Sequence, residues 1–153
     1  MESVLIFVDN TFHSFLSRQE NERQLREQLK VIEIIIKGIF LKNKKNEVKI
    51  RRTSTSDSLL QEFVIDFEII KDCFKAIKLC DKTSVRLLGC LSTGYNEMKD
   101  LSGNPKYIVA FINNFIEENN IQIKKIQKNL TKRMAFISIS YHLVRSYHRM
   151  KPN

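Results

Sequence analysis

At 153 residues the chain is long enough to close a substantial core and too short to expect several domains. Four glycines, two prolines and no tryptophan, against ten phenylalanines, disfavour a turn-rich sandwich or barrel and favour an all-α domain. The formal charge of +9 suits an acidic partner, nucleic acid or an anionic membrane surface, and equally a merely solvated basic surface.

The apolar VLIFV near the start lacks a basic leader and a cleavage site, so no signal peptide is expected. Leu5, Val8, Phe12 and Phe15 recur at steps of three and four, which predicts a helix, although the β-branched start also suits a strand. Leu25, Leu29, Ile32, Ile36 and Ile39 form a cleaner helical stripe over 21–41. Its VIEIIIKGIFL segment is too short and too charged to span a bilayer. From 42 to 56 the pattern stops, and KNKKNEVKIRRTSTS reads as an exposed basic, Ser/Thr-rich loop.

Asp57 or Ser58 can cap a following helix that carries Leu60, Phe63, Val64, Phe67, Ile70, Phe74 and Ile77. Leu88, Leu91, Tyr95 and Met98 predict another helix, weakened by Gly89 and Gly94 at about 1 kcal/mol each. Asn104 is a good N-cap and Pro105 suits a first helical position. Ile108, Phe111, Ile112, Phe115 and Ile116 then share one face, with Val109 and Ala110 widening it, as expected of a central buried helix. Asn119-Asn120 marks a turn, and a last helix is expected to about 148 on Ile123, Ile126, Leu130, Met134, Ile137, Tyr141 and Val144. No internal repeat is present, and the terminal His-Arg-Met-Lys-Pro-Asn offers no hydrophobic anchor.

No enzyme constellation stands out. Cys73, Cys80 and Cys90 lack CxxC spacing and are expected to be free thiols in a reducing compartment. His13, His142 and His148 are scattered and off metal-ligand spacing, so no metal and no cofactor is expected. There is no Gly-rich phosphate loop and no nucleophile elbow. Asp66, Glu68 and Asp72 share a helix and are expected to face water. The basic run 42–52 lacks interleaved aromatics, so nucleic acid is not the expected partner. These features point to a binding protein, not a catalyst.

The window Asn-x-x-x-Ile-Val-Ala-Phe at 104–111 resembles the first homology region of the Bcl-2 family, whose usual form is NWGRIVAFF. The preceding NEMKDLSG is similar to that family's NELFRDGV, and Asn96, Glu97, Asn104, Ile108, Val109, Ala110 and Phe111 agree. LTKRMAFISISYHL resembles the family's sixth helix, and Phe63, Phe67, Ile70, Asp72 and Phe74 reproduce its BH3 spacing. The resemblance covers 57–148. It departs at Pro105, Lys106 and Tyr107, where the family has Trp, Gly and an acid-binding Arg.

The resemblance implies one Bcl-2-like domain over 1–153: an all-α helical bundle around a buried central helix, with a surface groove. Phe74, Ile77, Gly94, Met98, Val109 and Ala110 would line that groove, and Glu97, Asn104, Lys106 and Tyr107 its polar edge. Gly94 would open room for a ligand helix. The expected function is then that of a virus-encoded, anti-apoptotic protein sequestering BH3 helices of host pro-apoptotic proteins. Alternatives are a Bcl-2-fold viral protein with a non-functional groove that modulates host innate signalling, or a basic helical module for nucleic acid or membrane. A homodimer stays open. The expected location is the host cytoplasm, with peripheral placement at mitochondria open, and no transmembrane anchor is expected.

Overall fold

The run SVLIFV is apolar on both sides, and it forms not a helix but the strand β1 (Ser3–Val8), buried along its whole length. The structure, a computed structural model, describes residues 1–54, 60, 62–101, 104–133 and 137–143. Chain order continues with α1 (Arg18–Lys42), β2 (Glu47–Arg52), α2 (Phe67–Lys75), α3 (Leu87–Met98), β3 (Lys106–Ile112), α4 (Asn120–Arg133) and β4 (Ile137–Leu143). The four strands form one sheet in the order β2-β1-β3-β4, and every pairing is parallel.

The alternation of side chains along each strand divides the core into two layers. Val4, Ile6 and Val8 of β1 with Val48 and Ile50 of β2 pack against Leu25, Ile32 and Ile36 of α1 and Ile70 and Phe74 of α2. On the opposite face, Leu5 and Phe7 with Ile108, Ala110 and Ile112 of β3 pack against Leu87, Leu91 and Met98 of α3 and Ile123 of α4. A parallel sheet covered by helices on both faces follows.

This architecture overturns the all-α, Bcl-2-like bundle. The supposed central helix at Ile108-Val109-Ala110-Phe111 is β3, running in register with β1 so that Leu5 faces Ile108 and Phe7 faces Ala110. Pro105 does not open a helix; its carbonyl accepts from the Ser3 amide at 3.0 Å. The helical spacing of Ile108, Phe111, Ile112, Phe115 and Ile116 does not decide the conformation: the run is rich in β-branched and aromatic residues, and a neighbouring strand takes its backbone bonds.

The expected loop 42–56 contains β2, whose alternation is hidden because its second face is charged. Lys49 and Arg51 lie there, both buried and both paired with Glu97 of α3, Lys49 Nζ at 3.4 Å. The helix expected from 57 begins only at Phe67, capped by Asp66, whose side chain accepts from the Glu68 amide. The expected caps Asp57 and Ser58 lie outside the described residues. The expected last helix splits into α4 and β4; α4 opens on Asn119, which exchanges two hydrogen bonds with Gln122 at 2.9 and 3.0 Å.

The expected helices at 21–41 and 88–98 match α1 and α3. Ser17 caps α1 by accepting from the Glu20 amide. Gly94 serves a different purpose from the one expected of it. A Cβ there would lie 3.1 Å from Ile108 Cδ1, 3.2 Å from Leu5 Cδ2 and 3.3 Å from Phe7 Cε2, so the glycine brings α3 down onto its own sheet. Gly38, by contrast, has open space where a Cβ would stand, on the outer side of α1.

These two glycines should therefore respond oppositely. Gly38→Ala should raise unfolding stability by about 0.5–1 kcal/mol through helix propensity alone. Gly94→Leu should lower it by about 1–3 kcal/mol through overpacking. Urea denaturation of both variants checks this, and a neutral Gly94→Leu would show that α3 can lift off the sheet.

Candidate functional site

Neighbouring strands β1 and β3 lie at the point where the chain reverses its direction of travel across the sheet: β1 leads through α1 to β2, and β3 leads through α4 to β4 on the other side. In an open parallel sheet the loops at such a point diverge and leave a crevice beyond the carboxyl ends of the strands. Here that crevice is filled by a polar network built on Asp9, the first residue after β1.

Asp9 is 4 % exposed. Its Oδ1 accepts from the Thr11 amide at 2.9 Å and the Thr11 hydroxyl at 2.5 Å, and its Oδ2 accepts from the Asn113 amide, after β3, at 2.8 Å. Asn114 donates through Nδ2 to Thr11 Oγ1 at 3.1 Å and to the Phe12 carbonyl at 3.0 Å. Helix α1 contributes two buried amides on its inward side. Gln28 accepts from the Asp9 amide and donates to the Asp9 carbonyl at 2.9 Å; Asn21 accepts from the His13 amide at 2.6 Å and donates to the His13 carbonyl at 3.0 Å. One carboxylate thus ties both loops together, while two amides set the first loop on α1.

Three rings stand on this base. His13 is half-buried, with ring centroids 5.7 Å from Phe15 and 5.6 Å from Phe115, and the two phenylalanines meet edge to face at 6.5 Å. Phe15 is 73 % exposed and Phe115 60 %. Phe115 is held at its backbone, its amide donating to Asn114 Oδ1 at 2.8 Å and its carbonyl accepting from the Val85 amide at 2.7 Å. The result is an aromatic crest, fixed from below and open above.

The crevice does not fit a cation in this arrangement. Both Asp9 oxygens already accept from protein donors, and among the described residues no three His, Cys, Asp or Glu side chains converge. Two of the thiols are also unsuited to act as nucleophiles. Burial pushes Cys90 up to about 12 and Cys73 up to about 11, so both are neutral thiols at pH 7, and all three cysteines are free.

The residues expected to line a ligand groove are dispersed. Phe74 and Ile77 belong to the core on one face of the sheet; Gly94, Met98 and Ala110 belong to the core on the other. Tyr107 and Val109 pack on the first face, Glu97 pairs with Lys49 and Arg51, and Asn104 and Lys106 sit at the entry to β3. Asp9, Thr11, Asn21, Gln28, Asn113 and Asn114 were not anticipated. Their signal was the pairing of two short apolar runs, VLIFV and YIVAFI, each ended abruptly by Asp-Asn or Asn-Asn.

A parallel sheet between two helical layers with its crevice at the β1/β3 reversal defines a class of fold, and solved structures share it. The VWA domain of SpRpn10 is similar over 92 % of this chain and 73 % of that one, with a TM-score of 0.75 and 14 % identity. A structure of three N-terminal domains of the type V pili tip protein Mfa5 from Porphyromonas gingivalis is similar over 72 % of this chain, with a TM-score of 0.58 and 16 % identity; the match spans 19 % of that chain. No family model and no curated protein matches the sequence. The fold is thus VWA-like, and the Bcl-2 resemblance, with the apoptosis-inhibiting, BH3-sequestering role it implied, is overturned. Among the described residues no helix is long and apolar enough to cross a membrane.

Burial raises the Asp9 pKa against the opposing pull of the hydrogen bonds from Thr11, Asn113 and Asn114. A raised folded-state value gives stability that is fully present below the unfolded carboxyl pKa of about 3.9 and is lost as pH rises through the folded value. The stability of the wild type minus that of Asp9→Asn, which cannot titrate, should therefore fall as pH rises from about 4. Urea titrations across that range measure the slope; a rising difference would mean that the hydrogen bonds outweigh burial.

Proposed function

We propose that this chain is a protein-interaction domain that engages its partner through the crest of His13, Phe15 and Phe115. The observation that carries the reading is two exposed phenylalanines in ring contact with His13 above a satisfied buried network, with the Phe115 backbone held by Asn114 and Val85. Exposing large apolar rings to water gains a monomer nothing, whereas burying each in a partner stabilises a complex by about 1.5–3 kcal/mol. Rigid aromatic anchors also lose little conformational entropy on binding, which is why such residues dominate interface energetics. The likeness to the VWA domain of SpRpn10 supports an interaction module by analogy of fold.

Replacing Phe115 by a photo-crosslinking phenylalanine analogue should give a discrete adduct in cells, and the same analogue at exposed Glu68 should not. Phe15→Ala should weaken binding to the captured partner at least about 30-fold, a loss of about 2 kcal/mol, while shifting the stability of the free chain by no more than about 0.5 kcal/mol. Adducts of equal yield and pattern from both positions, or an affinity indifferent to Phe15, would overturn the reading.

A further inference from the structure

Beside the crest, on the same edge of the sheet, lies a second feature of different chemistry. A cavity of about 300 Å³ opens between the carboxyl end of β2 and the start of α3, lined by Arg51, Arg52, Lys82 and Arg86 together with Thr53, Ser54 and Thr93. Among its described lining residues there is no carboxylate. Arg86, Gly89, Cys90 and Thr93 reach it from one stripe of α3, since steps of three and four share a helix face. Cys90 closes the floor, its thiol donating to the Thr53 carbonyl at 3.8 Å.

The cations are not all spent on neighbours. Arg51 is engaged by Glu97, and Arg52 follows Val48 and Ile50 onto the opposite side of the sheet, which leaves Lys82 and Arg86 for a ligand. Lys82 is exposed, and Arg86 reaches Glu117 only at 3.5 Å with its side chain 79 % exposed, a pair that water screens to little. The first amides of α3 are no part of this, because Glu118 accepts from Leu87 and Leu88 at 2.9 and 3.0 Å.

We propose that this pocket binds a phosphate monoester, carried on a phosphorylated side chain of the partner that covers the crest. The space admits a phosphoryl group with its linking carbon, and the Lys82 ammonium, the Arg86 guanidinium and the Thr93 hydroxyl offer donors to its terminal oxygens. Nucleic acid fits less well, since the one aromatic side chain in the lining, Phe7, is 2 % exposed and offers no face for a base. Crest and pocket are also joined. Ser54 donates to Asn10 Oδ1 at 2.7 Å, and the Phe12 amide donates to the Lys82 carbonyl at 2.7 Å. A single partner lying along this edge would meet both, so the proposal rests on the interaction-domain reading.

The test is amide-resolved NMR titration of the full chain with N-acetyl-phosphoserine methylamide, its unphosphorylated form, inorganic phosphate and an oligouridylate. The phosphorylated probe should shift the amides of Thr53, Ser54, Gly89, Cys90 and Thr93, and the unphosphorylated one should not. Lys82→Ala with Arg86→Ala should weaken that binding at least about tenfold, since each removes a charge-assisted contact. Phe15→Ala should leave it unchanged. Absence of these shifts, indifference to the double substitution, tighter binding of inorganic phosphate than of the monoester, or tighter binding of the oligouridylate would each overturn the proposal. Persistence of the Phe115 crosslink in Lys82→Ala/Arg86→Ala would then show that the pocket inference alone had failed.

Discussion

Strand β1 has a paired strand on each side and a helical layer over each face, so no atom of its backbone or side chains can rely on water. That constraint organises the molecule. A strand so placed must be apolar along its middle, from Val4 to Val8, and polar groups are kept to its ends, where Ser3 finds Glu47. At the carboxyl end the first opportunity is Asp9, and the chain uses it at once. A carboxylate there is costly to bury, and it persists because the Thr11 and Asn113 donors meet both of its oxygens. By holding the loop after β1 to the loop after β3, it fixes the height and spacing of everything that stands on that edge.

The crest and the basic pocket inherit their geometry from this junction. The loop carrying His13 and Phe15 is set by Asn21 and Gln28 of α1, which occupy inward positions where an amphipathic pattern would place aliphatics. Two buried amides at such positions weaken the hydrophobic contact of α1 with the sheet, and they specify one conformation of the loop in exchange. The loop carrying Phe115 is set by Asn114 and by the short bridge between Val85 and Ile116, which also brings the start of α3 to the same edge. The basic pocket and the aromatic crest are therefore neighbours because of where the backbone reverses across the sheet.

The exposed side of β2 shows how the edge of the sheet is protected. Val48 exchanges two backbone hydrogen bonds with Val64 at 2.8 and 2.9 Å, which covers part of the open ladder. Lys49 and Arg51 point charge inward beside β1, and Glu97 of α3 meets them. Both devices make pairing with a foreign strand unfavourable. The close seat of α3 that puts Glu97 within reach depends in turn on Gly94.

The sequence by itself determined the helix α1, because its apolar residues recur at a helical period over many turns, and it indicated α3 less firmly, since Gly89 and Gly94 interrupt a shorter stripe. It also placed IVAF in the interior, since a run without polar interruption has nowhere else to go. It could not say in which conformation. A buried helix and a strand buried on both faces look alike over six or seven residues, and the Asn-Pro before Lys106 suits either a helix start or a strand entry. The resemblance to NWGRIVAFF rested on that ambiguous segment. In the same way, β2 concealed itself behind charges whose partner, Glu97, lies far along the chain. The candidate site was legible only as two apolar runs ending in Asp-Asn and Asn-Asn. Tertiary structure decided the rest: hydrogen bonds between strands, unavailable to any segment alone, turned IVAF from a central helix into β3 and brought Asn113 to Asp9.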